Sequence, residues 1–314
     1  MEVIPMDTNR IEESEYRLRL CEQLERGNIL LLPHAPFVPS EADSAFLRQQ
    51  HQSEKAYHKN IAYKPRLNRT TGVKALNTED AERMNAILGD YSRGAVAFLS
   101  ALFPNYARAW QVDYASFRPV EEAGRMLPLR HRNDLMHVDA FPTRPTHGGR
   151  ILRAFTNLNA DRTRVWATAD SFEDLAARYA RDAGLDRVTS PQAAVARSIA
   201  KLARKIGMRV PDRSPYDQFM LQFHHYLKAN AEFQRTGQRR TLAFAPGATW
   251  ITFTDQVAHA VLSGQYALEQ TCIVPFQAMT LPELAPVAVL ERLSGRPLIA
   301  HPSVPAAAPE KLAV

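Results

Sequence analysis

The 314-residue chain is poor in cysteine, with only Cys21 and Cys272. They lie far apart and in no C-x2-C pairing. This excludes a disulfide framework and a thiolate zinc site, and it fits two thiols in a reducing compartment. Long apolar runs are also lacking. "ILLLP" at 29–33 is far short of the roughly 20 residues that a membrane span requires. The opening stretch, "MEVIPMDTNRIEESEYRLRL", is acidic where a secretory signal has a basic start and an apolar segment. A cytoplasmic protein is therefore expected, with peripheral contact at the inner membrane left open. No RNA-binding box, C-x2-C finger or internal repeat occurs, so the net charge of +6 is not by itself a nucleic-acid signal, and no nucleic-acid partner is expected. The same charge suits an anionic membrane surface or an acidic small substrate.

What is present is ordinary globular material, 45% hydrophobic and 23% charged, long enough to remove roughly 70–75% of its unfolded surface from water. Residues 12–26 read as a helix stopped by Gly27, and 79–103 as the clearest helix, with Met84, Ile87, Leu88, Tyr91, Ala95, Leu99 and Leu102 at spacings of three and four. Residues 40–75 show no period and are expected to be irregular. From 105 the texture becomes that of short strands: "WQVDYASFRPV", "LMHVDAF", "GRILRAFTNL" and "RVWATA". A helical insert is expected at about 171–235, with a capping-box-like start at Ser171 and a second helix opening at Ser190-Pro191. Strands resume in "TLAFAPGATWITFT" and "HAVLSGQYALEQTCIVPF". Many short strands with Gly and Pro turns argue a sandwich or barrel. The expected organisation is one mainly β domain over 1–282 with flanking and inserted helices, then a Pro/Ala-rich tail from 283 to 314 whose last residues, 302–314, are loose.

The chemistry rests on "LMHVDAFP", residues 135–142. In an extended segment, His137 and Asp139 point to one face. With His259 from a distant strand, they make two imidazoles and a carboxylate, the donor set of a non-haem iron centre that keeps three positions open. His224 or His225, in the amphipathic stretch "YDQFMLQFHHYLKANAEFQ", is the alternative second histidine. A bland reading stands beside this one: a satisfied core histidine with Asp139 in a turn. Trp110, Trp166 and Trp250 read as core, and Asp255 as either a support for His259 or a turn residue.

The segments "RHRNDLMHVDAFPTRPTHGGRILRAFTNLN", "RVWATAD" and "WITFTDQVAHAVLSGQYALEQT" resemble the bacterial hydroxylases of 3-deoxy-D-manno-oct-2-ulosonic acid (Kdo), over most of 105–275. These are Fe(II)/2-oxoglutarate-dependent dioxygenases. The resemblance implies an α+β chain with a mainly β core, a double-stranded β-helix of jelly-roll, cupin-like form. It also implies Fe(II) held by His137, Asp139 and His259, with 2-oxoglutarate and O2 as cosubstrates. The activity implied is hydroxylation at C3 of Kdo in a lipid A precursor of the lipopolysaccharide inner core, giving Ko with succinate and CO2.

Relatives often bind the distal carboxylate of 2-oxoglutarate with a cation shortly beyond the second histidine. "AVLSGQYALEQT" has no Arg or Lys, a departure from that pattern; other members of the dioxygenase family draw the cation from the strand after His-x-Asp, and the resemblance implies that place here. There Arg153, Phe155 and Asn157 share one face and Arg150 lies on the other. Arg153 is the first choice, Arg150 the second, with Asn157 beside them. Arg118, Arg125, Arg130 and Arg132 cluster just before His137, and a pocket using two of them is the expected grip on a sugar carboxylate or lipid A phosphate. The rival readings are a 2-oxoglutarate oxygenase for a protein, tRNA or metabolite, a non-catalytic sugar-binding β-sandwich, and a basic nucleic-acid module. Oligomeric state is not legible.

Overall fold

The structure is a computed structural model and describes residues 1–53, 60–74, 76–208, 210, 212–237 and 239–300. The helices are α1 (Ser14–Glu25), α2 (Glu41–Arg48), α3 (Thr78–Leu102), α4 (Pro104–Ala107), α5 (Phe172–Tyr179), α6 (Leu185–Val188), α7 (Pro191–Lys205), α8 (Pro215–Ala229), α9 (Ala231–Thr236) and α10 (Pro286–Ser294). The strands are β1 (Val3–Pro5), β2 (Ile29–Leu32), β3 (Ile61–Lys64), β4 (Arg69–Thr71), β5 (Gln111–Arg118), β6 (Arg150–Asn157), β7 (Arg164–Thr168), β8 (Arg240–Phe244), β9 (Thr249–Phe253), β10 (His259–Ser263) and β11 (Ala267–Val274).

An eight-stranded sheet runs β1-β2-β9-β6-β11-β5-β3-β4, and a three-stranded sheet runs β10-β7-β8. The pairs are antiparallel except β1 with β2. The sheets meet through aromatic rings of their inner faces. Phe155 and Trp250 of the large sheet pack on Trp166 and Phe244 of the small one, with centroids 4.0–5.4 Å apart. These side chains alternate with outward neighbours such as Ala154 and Ile251, as strand period demands. The outer face of the large sheet is covered by α1 and α3, whose Leu20, Leu24, Leu99 and Leu102 join Leu152, Ile251 and Phe253 in one apolar cluster.

The helix expected over 79–103 is α3. Asn77 caps it by accepting from Asp80 N at 2.8 Å, and Glu79 and Asp80 sit where the helix dipole favours negative charge. The expected insert is α5 to α9. With α10 it covers the outer face of the small sheet, where Phe219, Phe223, Leu227, Val287 and Leu290 pack on Ala167, Ala258 and Ala260.

Three expectations change. Residues 40–75 are not irregular, since they hold α2, β3 and β4. Strands of three and four residues are too short to show a period, and the pairing of β3 with β5 and of β4 with β3 makes them strands. The tail does not begin at 283, because α10 buries Val287, Val289 and Leu290, and Leu298 and Ile299 follow them into the core. The stretch 302–314 lies outside the described residues. "LMHVDAF" contributes only a single bridge, His137 to His259. Asp139 N turns away to Thr254 O at 2.8 Å, which stops the ladder.

Candidate active site

The bridge that ends so early fixes the site. His137 N donates to His259 O at 3.0 Å and His259 N donates to His137 O at 2.9 Å. This reciprocal pair sets the two imidazoles 4.8 Å apart, centroid to centroid. Met136 and Val138, which alternate with the polar pair, are sealed under the inserted helices. Burying that apolar face turns His137 and Asp139 into the space between the sheets. His137 Nε2 lies 3.6 Å from Asp139 Oδ1, and His259 Nε2 lies 4.0 Å from Asp139 Oδ2.

A third imidazole arrives from α8. His224 meets the His137 ring edge-on at 4.8 Å. Among the described residues, His137, Asp139 and His224 form a group whose ligand atoms all lie within 4.8 Å of one another. The helix is held for this by a capping box between Ser214 and Asp217 and by the burial of Phe219, Phe223 and Leu227.

All three rings are pinned in the same way. Nδ1 of His137 lies 2.7 Å from Leu135 O, that of His224 2.7 Å from Val138 O, and that of His259 2.8 Å from Val257 O. A carbonyl only accepts, so each Nδ1 carries the proton and each Nε2 keeps its lone pair. This is the tautomer a metal ligand needs, fixed by the partner on the far side of the ring. Burial lowers all three imidazoles from their ordinary value, His259 to about 4 and His224 well below, so they are neutral near pH 7. Burial alone would raise Asp139. The Arg153 guanidinium outweighs it and holds the carboxyl well below its usual range. Trp166 stacks on His259 at 4.9 Å and 17°. Among the described residues Asp139 Oδ2 is buried and has the Arg153 ion pair at 2.9 Å but no aligned hydrogen bond. Three lone pairs and an anionic oxygen in one dry spot fit a divalent cation of the iron type.

Around this cluster runs a chain of charges. Arg153 Nη1 lies 2.9 Å from Asp139 Oδ2, and its Nε is 3.4 Å from Glu269 Oε1. Glu269 also takes Arg118, at 3.0 Å from Nε and 2.5 Å from Nη2. Burial would raise Glu269, but Arg118 and Arg153 together keep it low. Arg164 begins β7 on the same face as Trp166. It is 1% exposed, donates to Gly264 O at 2.9 Å and has Glu122 3.8 Å away. Among the described residues its Nε has no hydrogen-bond partner. Burial brings this guanidinium down to about 10.

A family model described as 3-deoxy-D-manno-oct-2-ulosonic acid (Kdo) hydroxylase matches residues 7–297. The chain belongs to this family. The chain is also similar to crystal structures of the Kdo hydroxylase KdoO, a non-haem Fe(II) α-ketoglutarate-dependent dioxygenase. Its complex with α-ketoglutarate and Fe(III) is 33% identical, over 95% of this chain and 98% of that one, with a TM-score of 0.81. The complex with cobalt(II) is 34% identical, over 96% and 99%, with a TM-score of 0.83. No curated protein matches. As in the Kdo hydroxylase fold, the two sheets here form a jelly-roll-like core.

Against this fold the expected site residues separate. His137, Asp139, His259, Arg153 and Arg118 converge. Arg150 does not: its Nε donates to Asp255 at 2.8 Å and its Nη2 to Gln256 at 2.6 Å, on the outer face. It anchors the turn that leads into His259, which also makes Asp255 a turn residue. Asn157 is spent on backbone, its Nδ2 donating to Arg162 O and Phe244 O. Arg125 pairs with Glu122 and Arg132 with Asp134, and Arg130 is exposed and gives its carbonyl to Lys228. The four arginines expected to grip the sugar therefore do not form one group, because each finds a local acid or points to solvent. Sequence reasoning missed Arg164. Its signal was faint, an arginine two residues before a core tryptophan in a strand.

Proposed function

We propose that this chain is an Fe(II)- and 2-oxoglutarate-dependent hydroxylase that adds oxygen at C3 of Kdo, giving Ko, with succinate and CO2 as coproducts. The observation that carries this is the meeting of oriented Nε2 lone pairs and the Asp139 carboxylate inside the core of a Kdo hydroxylase family member. When bound, Fe(II) with 2-oxoglutarate and O2 supplies the oxidising chemistry; the protein positions the C–H bond and keeps water out.

His137, Asp139 and His259 are the proposed ligands. His259 rides on a core strand, is paired to His137 through the backbone and is braced by Trp166. Three protein donors leave room for a chelating cosubstrate and O2, and a fourth would take one of those places. His224 would then stay off the metal, beside His137. The tight His137–Asp139–His224 group favours a second reading, with His224 as ligand in place of His259. Iron content of the purified variants separates the two. On the first reading His259→Ala is iron-free and His224→Ala retains iron; on the second the result is reversed.

Arg164 is the proposed partner of the distal cosubstrate carboxylate, since it is buried, underpaired and on the inner face, whereas Arg153 is already engaged with Asp139 and Glu269. For the acid group of Kdo the proposed cations flank a cleft of about 320 Å³ lined by Lys64, Arg66, Asp113, Tyr114 and Arg144, where Arg144 Nη1 lies 3.3 Å from Asp113 Oδ1. Arg144 lies over Tyr114 at 4.1 Å and over Phe141 at 4.4 Å, and Phe141 is also beneath Arg153. That links the cleft to Asp139. The acceptor is Kdo on a lipid A precursor, met at the cytoplasmic face of the inner membrane. Among the described residues no helix is long and apolar enough to cross a membrane; the contact proposed is peripheral. The test is incubation with Fe(II), 2-oxoglutarate and a Kdo-bearing glycolipid. Gain of one oxygen with stoichiometric succinate is expected, and succinate without glycolipid oxidation would move the assignment to another substrate.

A further inference from the structure

One helix of the insert lies on the protein with its apolar side outward. α7 begins at Pro191 behind Ser190, whose hydroxyl accepts from Ala193 N at 3.2 Å. Ala193, Arg197, Ala200 and Arg204 are half-buried. At spacings of four, three and four they form one face. That face is tied to the body by Arg197, which donates to Val188 O at 2.8 Å, and by Arg204, 2.5 Å from Asp212. The opposite face carries Val195, Ile199, Leu202 and Ile206 at the same spacings, 60–74% exposed, and Met208 beyond the helix end is 57% exposed. Among its described residues α7 has none buried. A stripe of this kind ordinarily faces a core. Here it faces water, as a contiguous patch that marks a contact surface.

The surrounding charge identifies what covers it. Residues 186–213 hold seven Lys and Arg against two Asp, so most of the chain's excess of +6 is concentrated there. Lys201 and Lys205 are exposed beside the stripe. A second copy would bring an equally basic surface up to this one, whereas an anionic lipid surface attracts these cations. An apolar stripe with a basic flank, on a helix too short to span, describes a helix that lies in the plane of a membrane interface.

We infer that α7 is the membrane-docking element: Lys201 and Lys205 engage anionic headgroups while Val195, Ile199, Leu202 and Ile206 enter the acyl boundary. α6 contacts both α7 and α8, and α8 carries His224, so the docking surface and one wall of the metal site belong to the same insert. The inference deepens the lipid-borne substrate reading above and rests on it for its purpose. Vesicle binding is measured without turnover, so the two can fail separately.

The full-length protein is pelleted at low salt with vesicles of phosphatidylcholine, alone or with about one third phosphatidylglycerol. Binding to the anionic vesicles only is expected. Ile199→Asp with Leu202→Asp should weaken it more than about tenfold, and Lys201→Glu with Lys205→Glu should do the same. Both pairs should keep wild-type turnover on a detergent-dispersed Kdo acceptor and an unchanged Tm. The inference is overturned if wild-type protein stays in the supernatant, or if the substituted proteins pellet as well as wild type. It is equally overturned if sedimentation velocity finds a dimer that Ile199→Asp with Leu202→Asp dissociates. Vesicle binding by a protein inert toward Kdo supports the docking role and counts against the substrate assignment.

Discussion

The space between the sheets and the outer face of α7 invert the usual placement of charge and hydrocarbon in opposite ways. Between the sheets, Arg153, Arg164, Glu122 and Glu269 are buried, with Arg118 and Asp139 nearly so. On α7, aliphatic side chains stand in water. The interior inversion is largely neutralised from within, as Glu269 serves two guanidiniums and Arg153 serves two carboxylates. Desolvating an unpaired ion costs several kcal/mol, so such a network persists only when its members match. The exposed stripe has no such match on the protein. A paired interior is preorganised for an ionic ligand, while an uncovered apolar stripe needs an external partner.

The largest effect that could break this comparison is at the ligands. Asp139→Ala should abolish both bound iron, by metal analysis, and succinate production. That loss exceeds the roughly 10–100-fold expected from removing an outer partner of a ligand. A variant that keeps its iron would mean that the interior charges are structural. Next comes Glu269→Ala, which leaves Arg118 and Arg153 buried without their shared anion and should lower stability by about 3–5 kcal/mol in urea titration. Because Glu269 is held below its ordinary value of 4.5, its contribution is complete above about pH 4.5. It is lost as pH falls through the lower folded-state value. The stability gap between wild type and Glu269→Gln should therefore narrow on acidification; a gap that widens would contradict the pairing.

Phe223→Ala and the α7 variants sharpen the contrast. Phe223 is fully buried and its truncation should cost about 3–5 kcal/mol. Ile199→Asp, more than half exposed, should change stability by no more than about 0.5 kcal/mol. Equal effects at the two sites would mean that α7 is packed in solution. Arg164→Met should weaken 2-oxoglutarate binding on the order of 10–100-fold, the worth of a charged hydrogen bond, with iron binding retained. The smallest effect concerns the thiols. Burial pushes Cys21 and Cys272 to about 12, so an alkylating reagent should label neither in the native protein at pH 8 and both after unfolding, as read by mass spectrometry.

Much of the fold and part of the site are legible in the amino-acid sequence. The α3 stripe, the helical insert and the strand textures follow from side-chain periods, and those periods survive because each element buries the face its pattern declares. The His137–Asp139 pair is legible because His-x-Asp in extended backbone needs only local geometry to share a face. The arginines are not. Strand period separates Arg150 from Arg153, and that separation is what the structure has, but it cannot say that Asp255 waits for one and Asp139 for the other. The expectation that two of Arg118, Arg125, Arg130 and Arg132 share a pocket comes from nearness in sequence, and pairing with Glu269, Glu122 and Asp134 disperses the four.

The amino-acid order by itself determined the helix stripes, the same-face placement of His137 and Asp139, and the amphipathic pattern of residues 191–206. Tertiary structure alone decided that His259 and His224 reach the same carboxylate, that Arg164 is left underpaired, and that the stripe of α7 faces outward. The physical reason is range. Side-chain periodicity is set by the local backbone, whereas the partner of a charge or of an apolar face depends on which distant segment the sheets and helices bring beside it.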